Sequence, residues 1–127
     1  MGGGGSFIYA LRHPEMFSSA CPLSGYMGEL SYTEFYEKNK KKHENYRREK
    51  LFNYYSNHNA LSIIQNQTVE NLKSVRWYID CGDNDFLYEG NSLVHIALKK
   101  RGIPHEYRVR NGSHNWTYWR GSLPVSY

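Results

Sequence analysis

Apolar and polar positions recur with two different periods along this chain, and the changes of period mark out its clearest unit. Val75, Trp77 and Ile79 are interleaved with Arg76, Tyr78 and Asp80, the two-residue repeat of a half-buried strand. From Glu89 to Arg101 the repeat lengthens. Leu93, Ile96, Ala97 and Lys100 fall at helical spacing, with Val94 and Leu98 beside them. Lys99, Lys100 and Arg101 suit a helix C-terminus, Gly102 caps it, and Pro104 prevents its return. His105 to Val109 then alternates again. Strand, helix and strand within about 35 residues form a βαβ unit, which predicts parallel strands and a right-handed crossover.

The flanking segments are less regular. Phe7, Ile8, Ala10 and Leu11 follow a run of glycines. Arg12 and His13 suit the end of a helix and Pro14 stops it, so the glycines lead directly into a short helix. Phe17 to Leu23 reads as a short buried strand with Pro22 at its end. The polar, aromatic and basic stretch after Ser24-Gly25 predicts one helix from about Thr33 to Tyr55. A further helical turn is expected over Ala60 to Gln65, and a last short helix over Trp116 to Leu123. The fold class is therefore α/β, with about three parallel strands and flanking helices.

Composition changes this picture in two places. Only 39% of residues are apolar, yet twelve are Tyr and three are Trp, so rings that keep a polar tip in water must supply much of the burial. The net charge of +4 is concentrated in residues 37 to 50, which hold seven Lys or Arg against three Glu. A solvated helix face accounts for this run better than a nucleic-acid site does, because Glu44 and Arg48 stand one helical turn apart, as do Arg47 and Leu51. No basic n-region with an apolar h-region opens the chain, and no apolar run reaches the roughly 18 residues of a membrane span. Cys21 and Cys81 each follow an apolar run and are expected as buried free thiols, a bridge between them being the alternative. No Cys/His spacing resembles a metal site, and no cofactor is expected.

The chemistry falls in the two loops after the βαβ strands. Cys81-Gly82-Asp83-Asn84-Asp85-Phe86 follows the first, and Asn111-Gly112-Ser113-His114-Asn115-Trp116 follows the second. Ligands of open α/β sheets bind outside the carboxyl ends of strands, and neighbouring strands lie about 4.8 Å apart. An acid in one loop can thus reach a histidine in the next, orient the imidazole and stabilise its protonated form. Taken singly, Asp85 also reads as a helix N-cap before Leu87 and Tyr88, and His114 as a loop residue.

Together these residues resemble a family. Gly82-Asp83-Asn84-Asp85 is similar to the G-x-x-D turn that carries the acid of the α/β-hydrolase triad. Asn111-Gly112-Ser113-His114 is similar to the G-x-H turn that carries its histidine, and the order of acid then histidine matches. Met1-Gly2-Gly3, the following helix, His13-Pro14, Phe17 and Ser24-Gly25 resemble the segment after the Gly-x-Ser-Met-Gly-Gly nucleophile elbow. The group resembled is the esterase D-like one, which includes S-formylglutathione hydrolases and acetyl-xylan and feruloyl esterases.

The resemblance implies the C-terminal part of an α/β-hydrolase domain over residues 1–127, with a variable cap-like helical insertion at about 26–60. It implies Asp85 and His114 as catalytic residues and the Met1 backbone N–H as an oxyanion donor beside an upstream serine. It also implies Trp116 and Tyr118 as residues lining the site for an ester or acylated-sugar substrate; Trp119 is a third candidate, for which core packing is the stronger reading. The serine position falls immediately before Met1, and neither Ser6 nor Ser113 occupies an elbow, so the expectation is a fragment inactive on its own. Its strand at Phe17 to Leu23 would leave an open sheet edge and favour homo-oligomers. The rival expectation is a non-catalytic carbohydrate-binding or assembly module. Compartment stays unassigned.

Overall fold

The computed structural model describes residues 2–40 and 48–126. Its elements are α1 (Gly2–Arg12), β1 (Ser19–Ala20), α2 (Tyr32–Asn39), α3 (Arg48–His58), α4 (Ala60–Asn66), α5 (Val69–Lys73), β2 (Arg76–Gly82), α6 (Tyr88–Lys100), β3 (His105–Arg110) and α7 (Trp116–Ser126). The three strands form one parallel sheet in the order β1-β2-β3. This is the α/β architecture expected from the alternating patterns.

The two-residue repeat of β2 sorts its side chains between two layers. Trp77 and Ile79 join the apolar core, with Phe7 and Leu11 of α1, Ile64 of α4, Leu72 of α5 and Val94 and Leu98 of α6. Trp77 anchors that layer twice. Its ring meets Phe7 edge-on at 5.3 Å, and its indole N–H donates to the Leu72 carbonyl at 2.7 Å, which satisfies the polar tip of a buried ring. Asp80 lies on the other face and is covered by Tyr118 of α7. The α6 helix ends as its sequence predicts. Gly102 adopts φ +70, its N–H donates to the Lys99 carbonyl, and Ile103 N–H donates to the Leu98 carbonyl, a Schellman closure.

Five details differ from the sequence reading. The glycines at the N-terminus do more than precede α1: Gly2 to Gly5 are its first turn. A Cβ on Gly4 would overlap the Tyr26 carbonyl oxygen, so close backbone approach outweighs poor helix propensity there. The first strand shrinks to Ser19–Ala20, with an isolated bridge from Leu23 to Asp80 beyond Pro22, because proline has no N–H for the ladder. Cys21 is exposed and only Cys81 is buried, and no disulfide joins them. Exposed Ser19 and Cys21 alternate with half-buried Ala20 and buried Pro22, so the pleat turns Cys21 outward. The short α5 helix was not legible as an element, though Thr68 caps it by accepting from Asn71 N–H at 3.2 Å.

The fifth difference is the largest. A single helix over Thr33 to Tyr55 would set Tyr32 and Tyr55 about 34 Å apart at 1.5 Å per residue. Their ring centroids lie 5.5 Å apart. The chain instead folds α3 back on α2, and Phe35 stacks on Tyr54 at 6.0 Å. Asn39 ends α2 by donating its side-chain amide to the Phe35 carbonyl at 2.8 Å, a local bond that competes with helix continuation. Mutual burial of aromatic rings favours the folded-back pair over one solvated rod. Residues 41–47 of the basic run, with Glu44 and Arg47, lie outside the described residues. No helix among the described residues is long and apolar enough to cross a membrane.

Candidate active site

Strand register brings the two loops together. β2 and β3 pair from Trp77 opposite His105 to Gly82 opposite Arg110, so the chain leaves both strands at the same sheet edge. Backbone groups then join the loops. Asp83 N–H donates to the Arg110 carbonyl and Asn84 N–H to the Gly112 carbonyl, each at 2.9 Å. Gly112 N–H donates to Asp83 Oδ1 at 2.9 Å. A Cβ on Gly82 would run into the Gly112 carbonyl, and one on Gly112 into the Tyr118 ring. Both turns therefore need glycine for space.

This joint sets Asp85 against His114. The Asp85 side chain is fully buried and His114 is 30% exposed. Asp85 uses one oxygen for each reading made of it. Oδ1 accepts from Leu87 N–H at 2.8 Å and shapes the turn into α6. Oδ2 faces His114 Nδ1 at 3.0 Å. A carboxylate only accepts, so Nδ1 is assigned as the donor and Nε2 keeps the lone pair. Nε2 is then the atom able to take a proton.

Rings bracket the imidazole. Phe86 lies 5.0 Å from it, tilted by 52°, and is 75% exposed. Trp119 meets it edge-on at 4.9 Å and 86°. The Trp119 indole N–H donates to Ser24 Oγ at 3.0 Å. Below this layer, Tyr118 donates its hydroxyl to Asp80 Oδ1. Asp80 Oδ2 accepts from Tyr78 at 3.4 Å and lies 3.7 Å from the Arg110 guanidinium. A fully buried carboxylate is thus supplied with two phenols and a cation, which offset the cost of its desolvation.

The other expected residues divide. Trp116 is 68% exposed and packs edge-on against Trp119. Tyr118 is buried, its ring over Gly112 and its hydroxyl on Asp80. Met1 lies outside the described residues. Among the described residues no hydroxyl hydrogen-bonds to His114. Cys81 is not a substitute nucleophile. Burial pushes its thiol up to about 12, with the charges of Asp85 and Asp80 adding to the effect, so it stays protonated at neutral pH. Among the described residues, no group of three or more His, Cys, Asp or Glu is placed to hold a metal ion. A groove of about 200 Å³ runs from Phe86 and Leu87 to Tyr26, Glu29, Glu34 and Lys38.

Sequence reasoning passed over Ser24, Phe86 and Asp80. Ser24 carried a local signal, the Ser-Gly pair after a strand. Asp80 carried a misleading one, since its polar place in the alternation suggested solvent rather than a second covering layer.

Among curated proteins, none matches the chain. A ferulic acid esterase of known structure superposes with a TM-score of 0.76 and 30% identity, over 99% of this chain and 45% of that one. S-formylglutathione hydrolase FrmB from Staphylococcus aureus gives a TM-score of 0.71 at 23% identity, over 99% of this chain and 46% of that one. The fluorophosphonate-binding serine hydrolase FphF of the same organism gives 0.69 at 23%, over 98% and 49% respectively. The chain thus spans about half the length of these solved structures. The family model described as "Putative esterase" matches residues 1–126. With parallel strands, joined acid and histidine turns and a family match over almost its whole length, the chain belongs to this esterase family.

Proposed function

We propose that Asp85 and His114 are the acid and base of a Ser-His-Asp carboxylic-ester hydrolase. The observation that carries this reading is the 3.0 Å contact of a fully buried carboxylate with Nδ1 of a partly exposed histidine. His114 Nε2 takes the proton of a serine hydroxyl as it attacks the ester carbonyl, then gives it to the leaving alcohol. Asp85 holds the tautomer and stabilises the imidazolium between those steps. Exposed Phe86, beside the imidazole, and exposed Trp116, packed on Trp119, serve the acyl or sugar part of the substrate.

Among the described residues no serine hydroxyl is bonded to His114, and residues 1–127 alone are expected to lack serine-esterase turnover. p-Nitrophenyl acetate hydrolysis by this chain tests it. The expected result is slow hydrolysis that His114→Ala removes and a serine-directed phosphonate leaves untouched. Inhibitor-sensitive turnover would sink the claim of inactivity. An in-frame Gly-x-Ser in the coding sequence directly before Met1 is the matching genetic check. With that serine supplied, Asp85→Asn is expected to lower kcat by a factor on the order of 10³–10⁴.

The exposed rings Phe86 and Trp116 also suit a non-catalytic carbohydrate-binding or assembly module. Polysaccharide binding or self-association unchanged by His114→Ala, with no hydrolysis under any condition, would favour that reading.

A further inference from the structure

Ser24 adopts φ +52 and is the one non-glycine residue with positive φ among those described. That left-handed conformation crowds the Cβ of any L-residue, and glycine avoids the cost. The turn needs the conformation for its backbone. Ser24 N–H donates to the Asp80 carbonyl at 2.8 Å, and Gly25 then passes against Gly3 and Gly4 of α1. Glycine would therefore meet every backbone demand at position 24. What it lacks is the hydroxyl, whose oxygen accepts the Trp119 indole N–H at 3.0 Å.

Trp119 is the more fixed of the two rings beside His114. Phe86 is 75% exposed and little enclosed by neighbours, whereas Trp119 is tied at both ends. Its backbone is held because the neighbouring Tyr118 is bonded to buried Asp80. Its ring is held because an indole N–H can only donate and Ser24 supplies the acceptor. Strain retained at one residue where a relaxed alternative exists points to a role for the group that the strain carries.

We propose that Ser24 and Trp119 are positioning residues for His114: the hydroxyl fixes the indole, and the indole holds the imidazole with Nδ1 on Asp85 and Nε2 open. The turn after β1 thereby sets the attitude of a base carried on the loop after β3. This rests on the Asp85–His114 reading.

The test is ¹⁵N and ¹H NMR of the histidine side chains in this 127-residue chain, with its Ser24→Gly, Ser24→Ala, Trp119→Phe and Ser24→Gly/Trp119→Phe variants. In the wild type, His114 is expected as the Nδ1–H tautomer with a slowly exchanging Nδ1 proton. Ser24→Gly relieves the backbone and removes the hydroxyl. It is expected to leave the melting temperature unchanged or higher, yet to speed exchange of the Nδ1 proton at least tenfold. Trp119→Phe keeps a ring without the N–H and is expected to do the same. The double variant is expected to exchange no faster than either single one, since both remove one bond. Ser24→Ala gives the hydroxyl effect if the glycine variant does not fold. Wild-type exchange in the folded Ser24 variants, or multiplying effects in the double variant, would overturn the proposal alone. A wild type with no Nδ1–H preference would instead overturn the Asp85–His114 reading and this inference with it.

Discussion

The joined loops at the carboxyl edge of the sheet and the α2–α3 pair are both places where two segments of chain meet, but different forces hold them. The loops are held by three hydrogen bonds of 2.9 Å, two between backbone groups and one from Gly112 N–H to the Asp83 carboxylate, with glycines in contact. The α2–α3 pair is held by rings: Tyr32 on Phe52 and Tyr55, and Phe35 on Tyr54 and Tyr55. Phe52 and Tyr54 are more than half exposed. Backbone bonds and packed glycines leave little freedom of position, as the proton-transfer pair proposed above would require. Ring contacts are less directional than hydrogen bonds, so they constrain the α2–α3 pair less tightly.

The largest expected effect breaks the loop joint. Gly82→Ala places a methyl against the Gly112 carbonyl, and the backbone there cannot yield as a flexible side chain would. Urea denaturation should show a loss of about 1–3 kcal/mol, and the His114 resonances should move with it. A stability within error of the wild type would mean that the loops are as adaptable as the α2–α3 pair.

A smaller effect is expected from Tyr54→Ala. Tyr54 is 56% exposed, though it stacks on Phe35 and on His58. Its loss should cost about 1 kcal/mol or less by the same denaturation and leave the His114 spectrum unchanged. A movement of His114 in this variant would show that the two regions are coupled rather than independent.

The smallest effect is a pH dependence outside both regions. His95 Nδ1 lies 2.7 Å from His105 Nε2, and His105 Nδ1 bonds the Ile103 carbonyl. Burial, then His105 and Lys99, hold His95 below the usual histidine range. The folded state therefore resists its protonation. Its contribution to stability is present above the unfolded value of about 6.5 and is lost as pH falls through the folded value. Melting curves between pH 7 and pH 5 should fall in the wild type and fall less in His95→Gln. Equal slopes would remove His95 from the account.

Much of the site was legible because it depends on local chain order. Alternation gave β2 and β3, the Schellman glycine gave the end of α6, and two short turns gave Asp85 and His114. The elements that were misjudged depend on what lies across from them. Thr33 to Tyr55 has the composition of one helix, and nothing local says that its rings will meet by folding back. Asp80 occupies a polar place in a strand, and only the arrival of Tyr118 makes that place an interior one.

The sequence by itself determined the periods, the caps and the order of acid and histidine, because these follow from backbone geometry over a few residues. Only the tertiary structure decided that Asp85 gives one oxygen to its own turn and the other to His114. It also decided that Ser24 is strained beneath Trp119 and that Cys21 faces outward. Such facts depend on burial and on partners as much as 95 residues apart, and no period along the chain records a distance across it. The acid and histidine were therefore readable as residues, while their bond and the posture of the imidazole belong to the fold.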